Sequence, residues 1–230
     1  HLLSQSLDYA AFYFASHMYF ALPFLMLTVA TSLLYLKQAG LREAQILHLS
    51  QTDSLTQLYN RRTAQEALTQ QLSRSGSRPL SVVLLDLDFF KKINDQHGHL
   101  VGDRVLVAVA AVLRDTVRQH DLVARFGGEE FVLILDGMSC NSAKSVAERC
   151  RQQIEDCVVL NDEGQSVALS ASFGVACIVT GAEQIAVDEI LRQADHALYA
   201  AKDAGRNQVM VHACPNALMG MTHPLLRRMV

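Results

Sequence analysis

The chain has 230 residues, of which 50% are hydrophobic, and its formal net charge at pH 7 is −3. That length supports one sizeable core with a further segment attached to it. The slightly negative charge argues against nucleic acid as a partner, because such a partner requires a broad basic surface, but it leaves room for a small anionic ligand.

The N-terminal segment, residues 1–36, is strongly apolar, and no residue between Asp8 and Lys37 is charged. The run "YFALPFLMLTVATSLLYL" at 19–36 has the length of a helix that crosses a bilayer. Lys37 and Arg42 follow directly, which places the downstream residues on the cytoplasmic side. We therefore predict a transmembrane helix at 19–36, with a buried core helix or a dimerisation helix as the alternative.

Residues 37–52 have the composition of a helix and a loose apolar pattern. We interpret this stretch as a linker or signalling helix that joins the membrane segment to the rest of the chain. It also has the features of a helix that pairs with its own copy in a dimer, although it is too short to establish a coiled coil.

Residues 53–212 mix strand and helix patterns in one domain, and Asp53 is placed to cap the turn that opens it. Asp103 is placed to cap a helix over 104–119, and Gly205 follows the last helix as a C-cap. The tail at 213–230 has no clear pattern. The predicted elements are helices near 60–75, 104–119, 141–157 and 188–203 and strands near 80–88, 122–126, 131–135, 167–179 and 207–212.

The five cysteines form no C-x-x-C pair, and their number is odd. This usage is typical of free thiols in a reducing compartment and not of disulfides or a zinc site. We therefore expect free thiols at Cys140, Cys150, Cys157, Cys177 and Cys214.

The stretch "RFGGEEF" at 125–131 joins two predicted strands. Gly127 and Gly128 favour a tight hairpin in which both glycines take positive φ, and they let a ligand approach the backbone closely. Glu129 and Glu130 begin the second strand, where successive side chains point to opposite faces. The two glutamates are therefore expected to have different roles.

A second acidic position ends the strand "VVLLDLD". Asp86 and Asp88 point to the same side, and carboxylates at a strand end suit a hard cation such as Mg²⁺. Each of these features is weak evidence alone, since an acidic strand end is usually just solvated and a Gly-Gly pair is usually just a turn.

Five separated motifs together resemble the GGDEF family, the bacterial diguanylate cyclases, in its Gly-Gly-Glu-Glu-Phe form. The resemblance covers about 53–212, and the order and spacing of the motifs agree with the family throughout. Gln57 departs from the pattern, because glycine is usual there. The motifs are "DSLTQLYNRR" (53–62), "DLDFFKKINDQHGHLVGD" (86–103), "RFGGEEF" (125–131), "SASFGVA" (170–176) and "ADHALYAAKDAGRN" (194–207).

The resemblance implies an α/β (α+β) fold with a central, mostly antiparallel sheet flanked by helices, like the palm of polymerases and nucleotide cyclases. It implies an enzyme that joins two GTP molecules into cyclic di-GMP and releases pyrophosphate. Each monomer would hold one GTP, so a homodimer is required. With the predicted transmembrane helix, it implies a protein of the inner membrane whose catalytic domain lies in the cytoplasm.

The resemblance also implies a role for each matching residue. Asp86, the backbone carbonyl of Leu87, and Glu129 hold Mg²⁺, with Mn²⁺ as the alternative ion. Glu130 helps to activate the 3′-hydroxyl, and Lys91 stabilises charge on the phosphates.

The nucleotide is read by a separate group of residues under the same resemblance. Asn94 and Asp103 bind guanine, because a carboxylate accepts from both N1–H and the N2 amino group, a donor pair that adenine lacks. The remaining contacts are Phe90 near the base, Gly128 against the nucleotide, and Lys202 and Arg206, four residues apart, on the triphosphate.

Arg118 and Asp121 match the R-x-x-D inhibitory site of the family, which binds the product cyclic di-GMP. An ion pair at the end of a helix is the alternative interpretation. For the whole domain the alternative is a catalytically inactive receptor of the same fold that binds GTP or cyclic di-GMP.

Overall fold

The chain forms two compact units, His1–Ser50 and Gln51–Val230. In the first unit the described residues 23–38 form helix α1. Across the described residues, no helix combines the length and the apolar character needed to cross a membrane. The transmembrane helix predicted at 19–36 is therefore not found. The predicted linker helix at 37–52 lies largely outside the described residues, and the tail at 213–230 lies wholly outside them. The computed structural model describes residues 12–13, 18–19, 21, 23–38, 51–74, 78–178 and 185–212.

A six-stranded sheet lies at the centre of the second unit, with the strand order β1-β3-β4-β2-β7-β8. The pairs β2–β4, β2–β7 and β3–β4 are antiparallel, while β1–β3 and β7–β8 are parallel. The predicted central, mostly antiparallel sheet is thus confirmed. The strands are β1 (Tyr59–Asn60), β2 (Leu80–Leu87), β3 (Leu122–Arg125), β4 (Glu130–Asp136), β5 (Val159–Leu160), β6 (Ser166–Val167), β7 (Ala171–Ile178) and β8 (Val209–Val211), of which β5 and β6 form a separate hairpin.

Five helices accompany this sheet in the described part of the second unit. The strand predicted at 167–179 is divided, because the chain leaves β6 at Val167 and enters β7 only at Ala171. The predicted capping role of Asp103 is wrong, since its helix begins earlier and has Gly98 at its N-cap position. The helices are α2 (Arg61–Arg74), α3 (Phe90–His97), α4 (His99–Thr116), α5 (Cys140–Glu155) and α6 (Val187–Asp203).

The central strand β2 is buried on both faces, because its side chains alternate between two apolar clusters. Val83 and Leu85 belong to the larger cluster, which includes the inner faces of α4 and α5. Val82 and Leu84 belong to the second cluster, which includes α2 and α6. The sheet is therefore a middle layer, and the polar end of β2 is held between two packed layers.

Two of the cysteines are bonded to each other. Cys140, the first residue of α5, and Cys177 in β7 form a disulfide with their Cα atoms 5.6 Å apart. The expectation of free thiols is wrong for this pair, because packing of α5 against β7 brings together residues 37 positions apart in sequence. Cys150 and Cys157 are free, and Cys214 lies outside the described residues.

The turn that opens the domain is capped as predicted. The backbone N–H and the hydroxyl of Thr56 donate to Asp53 Oδ1 at 2.8 and 2.7 Å. Gln57 has a φ of 58°, in the left-handed region, at the position where glycine is usual in the motif. The turn is also tied to the sheet, since Arg125 Nη1 lies 3.1 Å from Asp53 Oδ1.

Candidate nucleotide and metal site

The ends of three strands converge on Asp86. In the sheet Asp86 pairs with Glu130 of β4 on one side and with Ser172 of β7 on the other. The next residue, Leu87, donates its N–H to the Glu129 carbonyl at 3.3 Å. The predicted metal ligands Asp86, Leu87 and Glu129 are therefore brought together, and Asp86 is only 7% exposed.

Lys202 comes from α6 to the same place. Its Nζ lies 2.9 Å from Asp86 Oδ1. Burial raises the pKa of Asp86, the hydrogen bond and charge of Lys202 oppose that shift, and the charge of Asp88 adds to it. The lysine predicted to bind the triphosphate therefore lies directly beside the predicted metal ligand.

The Glu129 carboxyl is partly buried, and its pKa is also raised. Burial is the largest cause, and the negative charge of Asp86 is the second. A carboxyl group whose pKa is raised in the folded state stabilises the fold only at low pH, and this stabilisation is lost as pH rises through the raised pKa. Neither Asp86 nor Glu129 therefore stabilises the fold at neutral pH. Two carboxylates that repel each other in a partly buried site are an arrangement that a cation relieves.

This donor set fits a divalent ion. Asp86 and Glu129 supply hard carboxylate oxygens, and the Leu87 carbonyl adds a third oxygen of the kind that Mg²⁺ prefers. Over the described ranges no group of three or more His, Cys, Asp and Glu side chains is placed to hold a metal. The predicted set does not need one, because it consists of two carboxylates and a backbone carbonyl.

The hairpin loop around the two glycines is wider than predicted. The N–H groups of Phe126 and Gly127 both point to the Glu130 carbonyl, at 2.7 and 3.2 Å, so the loop spans residues 126–129. Neither Gly127 nor Gly128 has a positive φ, so that prediction is wrong. The loop is held instead by Arg125, whose Nη2 donates to the Gly128 carbonyl at 2.7 Å.

The two glycines of this loop differ in the space beside them. A Cβ atom on Gly127 would lie 2.3 Å from Glu130 Oε2, whereas one on Gly128 would meet nothing within 4 Å. Open space beside Gly128 agrees with its predicted place against a nucleotide. Glu130 instead lines a cavity of about 400 Å³ between α2 and α6 together with Arg61, as the expected alternation of the two glutamates requires.

The two residues predicted to bind guanine lie on neighbouring helices. Asn94 is in α3, and Asp103 is in the first turns of α4. Gly102 allows the Asn94 side chain to lie close to the backbone of α4, because a Cβ atom at residue 102 would lie 2.0 Å from Asn94 Oδ1. Asp103 is exposed, and in the described part of the chain no hydrogen bond occupies its carboxylate. Phe90 is 6% exposed and reaches beneath Gly102, so it forms the floor of this region and not an open contact for the base.

Phe89 and the role of Asp88 were not predicted from the sequence. Phe89 is 61% exposed, and the guanidinium carbon of Arg206 lies 4.8 Å from the centre of its ring. Asp88 is buried and accepts hydrogen bonds from the hydroxyls of Ser170 and Ser172 and from the backbone N–H of Asn207. Asp88 is therefore a structural anchor for the loop that carries Arg206, and only the structure shows which of the two aspartates faces the site.

Two further predicted residues have fewer contacts. Lys91 is exposed in the first turn of α3, close in sequence to the strand end. Arg206 is also exposed, and its charge lowers the pKa of Asp86, after larger effects from burial, Lys202 and Asp88. Both cations are therefore available to an anionic ligand at the end of β2.

The predicted inhibitory pair lies at the far end of α4. The Asp121 carboxylate accepts from the backbone N–H of Arg118 at 3.0 Å, so the alternative of a side-chain ion pair is not what is seen. The second oxygen, Asp121 Oδ1, is buried without a hydrogen-bond partner. Arg118 is exposed, and both residues line a cavity of about 390 Å³ with Arg114 and Gln119.

Residues 50–208 match the family model described as "Diguanylate cyclase, GGDEF domain". Among curated proteins, the probable diguanylate cyclase DgcT of Escherichia coli is 37% identical over 169 residues, which are 74% of this chain and 37% of DgcT. Diguanylate cyclase DgcP of Pseudomonas aeruginosa is 41% identical over 162 residues, which are 70% of this chain and 24% of DgcP. The chain thus spans less than half the length of these curated relatives.

Solved structures resemble the same region. The GGDEF domain of DgcB from Caulobacter crescentus, in complex with c-di-GMP, matches with a TM-score of 0.67 and 30% identity over 71% of this chain and 94% of that one. The active GGEEF domain of a diguanylate cyclase from Vibrio cholerae matches with a TM-score of 0.63 and 32% identity over 69% of this chain and 99% of that one.

Proposed function

The chain belongs to the GGDEF domain family of diguanylate cyclases, and on that premise we propose that it condenses two molecules of GTP into cyclic di-GMP. Each 3′-hydroxyl oxygen attacks the α-phosphorus of the other nucleotide, and pyrophosphate leaves from each. The observation that carries the proposal is the convergence of Asp86, Glu129 and Lys202 at one strand end, beside the open space at Gly128. Carboxylates and a cation arranged in this way suit phosphoryl transfer, which depends on positioning and charge neutralisation.

Asp86, Glu129 and the Leu87 carbonyl would hold Mg²⁺, or Mn²⁺ in its place, which when bound neutralises phosphate charge and polarises the P–O bond. Lys202, Lys91 and Arg206 bind the triphosphate oxygens. Since Lys202 is paired with Asp86 in the free protein, the aspartate keeps the lysine oriented toward the site.

Asn94 and Asp103 bind the guanine edge. Their recognition favours GTP over ATP, because the exposed Asp103 carboxylate accepts from N1–H and N2–H of guanine. Glu130 helps to activate the 3′-hydroxyl that arrives from the partner domain. This role is carried over from the family motif, and the Glu130 carboxylate is exposed on the side of the sheet opposite to Glu129.

One domain supplies one nucleotide site, so the reaction requires a homodimer in which two sites face each other. Attachment to the inner membrane through the N-terminal segment, with the catalytic domain in the cytoplasm, is part of the same proposal. It rests on the apolar composition of residues 19–36 and on the cations that follow them.

The direct test incubates the protein with GTP and Mg²⁺ and identifies the product by mass. We expect cyclic di-GMP and pyrophosphate from GTP and no cyclic dinucleotide from ATP. Binding of GTP without any turnover would replace the proposal with the inactive-receptor alternative.

We further propose that cyclic di-GMP inhibits the enzyme at the cavity beside Arg118 and Asp121. Two features support this: the cavity is lined by two arginines, and the buried Asp121 Oδ1 has no hydrogen-bond partner within the described residues. Arginine binds phosphate or stacks on guanine, and a carboxylate accepts N1–H. The DgcB domain from Caulobacter crescentus was solved with this same molecule bound.

Arg118→Ala is expected to raise the cyclic di-GMP concentration that halves the rate by at least about 10-fold, the equivalent of about 1.4 kcal/mol of lost binding. The initial rate without added product should stay the same. The measurement is the initial rate against added cyclic di-GMP, and the control is Arg62→Ala, which removes a surface arginine from α2. Equal inhibition of both variants would show that the product binds elsewhere.

A further inference from the structure

Phe89 has an unusual backbone and an unusual exposure for an aromatic residue. Its φ is 56°, in the left-handed region that a bulky side chain rarely adopts. Its ring is also 61% exposed at the start of α3, whereas the adjacent Phe90 is buried. Neither the backbone preference nor core packing accounts for a phenylalanine here, and strained residues of this kind cluster at functional sites.

The ring of Phe89 has one notable neighbour. The guanidinium carbon of Arg206 lies 4.8 Å from the ring centre, within the range of a cation–π contact. Arg206 lies in the loop after α6, where Gly205, Arg206 and Asn207 have φ values of 114°, 65° and 45°. Three consecutive left-handed residues fold this loop back toward the end of β2.

The backbone on both sides of the contact is anchored. The Arg206 N–H donates to the Ala201 carbonyl at 3.0 Å, and the Asn207 N–H donates to Asp88 Oδ2 at 3.0 Å. The Phe89 carbonyl accepts from the N–H of Lys92 at 2.8 Å as α3 begins. The Arg206 side chain is long and exposed, and among the described residues the Phe89 ring is the contact that restricts it.

We propose that Phe89 is a positioning residue for the triphosphate, whose ring holds the Arg206 guanidinium near the end of β2 so that it faces the phosphate oxygens of GTP. This role concerns how the proposed enzyme binds GTP, and it therefore rests on the proposed function. Holding the arginine in place before the ligand arrives reduces the conformational freedom that is lost on binding. Phe89 acts only through Arg206 and takes no part in the chemical step.

The test is steady-state kinetics with GTP for Phe89→Gly, Phe89→Leu and Phe89→Tyr. Glycine accepts the positive φ, so Phe89→Gly removes the ring without adding backbone strain. We expect Phe89→Gly and Phe89→Leu to raise KM about 2- to 5-fold, the range of an exposed cation–π contact, with kcat within about 2-fold of the wild type. Phe89→Tyr keeps an aromatic ring and should restore the wild-type KM.

A second set of variants asks whether the ring acts through the arginine. In an Arg206→Ala background, Phe89→Gly should change KM no further, because coupled residues are not additive. Additive effects of the two substitutions would overturn the proposal, as would an unchanged KM in Phe89→Leu. A loss of thermal stability in Phe89→Gly with no change in KM would also overturn it, because it would assign the ring a structural role alone.

Binding of a non-reactive GTP analogue, measured by calorimetry, separates this inference from the proposed function. If the wild type makes cyclic di-GMP and the Phe89 variants bind the analogue normally, only the positioning role fails. If the wild type neither turns over GTP nor binds the analogue, the proposed function itself fails.

Discussion

Asp86→Asn is expected to reduce cyclic di-GMP formation by at least about 10³-fold, a size typical of lost electrostatic stabilisation at a phosphoryl-transfer site. Asn keeps the shape of the side chain but removes the charge that is predicted to hold the divalent ion and that pairs with Lys202 at 2.9 Å. The rate of product formation from GTP, followed by chromatography, is the measurement.

The fold should survive this substitution. Burial raises the pKa of Asp86, so its ionised form does not stabilise the folded state at neutral pH, and the thermal midpoint should change by only a few degrees. Asp136→Asn is the matched control, since Asp136 pairs with Leu80 at the opposite end of β2 and its loss should leave the rate within about 2-fold. If Asp86→Asn formed cyclic di-GMP at the wild-type rate, Asp86 would not be part of the catalytic site.

Gly174→Ala is expected to destabilise the domain by more than about 3 kcal/mol, among the larger effects of single substitutions. A Cβ atom at Gly174 would lie 2.1 Å from the Ala194 carbonyl oxygen and 2.2 Å from the Leu198 N atom. These are backbone atoms of α6, so relief requires the helix to move away from β7. The free energy of unfolding in urea, monitored by circular dichroism, measures the effect.

Gly128→Ala provides the control for the size of the substitution. Its new methyl group meets nothing within 4 Å, so the free energy of unfolding should stay within about 0.5 kcal/mol of the wild type. Equal stability of Gly174→Ala and Gly128→Ala would mean that α6 does not pack on β7 as closely as the structure has it.

Strands and helices could be predicted from the sequence where several local features of the sequence indicated the same element. The apolar run at 80–88 predicts the strand observed as β2, and the helix predicted at 188–203, followed by Gly205, matches α6. The hairpin at Gly127 and Gly128 was predicted correctly, but the conformation of its loop was not. The Arg125 side chain donates to the Gly128 carbonyl and holds the loop without a positive φ at either glycine.

The parts of the site that the sequence did not reveal depend on contacts between distant residues. The contact of Phe89 with Arg206 joins positions 117 apart, and nothing in the phrase "DFF" distinguishes an exposed ring from a buried one. The Asp103 carboxylate was assigned a capping role that Gly98 made unnecessary, since a glycine with a φ of 84° allows α4 to begin at His99. In both cases the arrangement depends on a residue with a positive φ, Phe89 in the first and Gly98 in the second.

We propose that Asp86 and Glu129 together hold one divalent ion against a triphosphate. Binding of Mn²⁺ in the presence of a non-reactive GTP analogue, followed by electron paramagnetic resonance, tests it in the wild type and in Glu129→Gln. We expect one tightly bound Mn²⁺ per domain in the wild type and at least about 10-fold weaker binding in the variant. Equal Mn²⁺ affinity in the two proteins would contradict the claim.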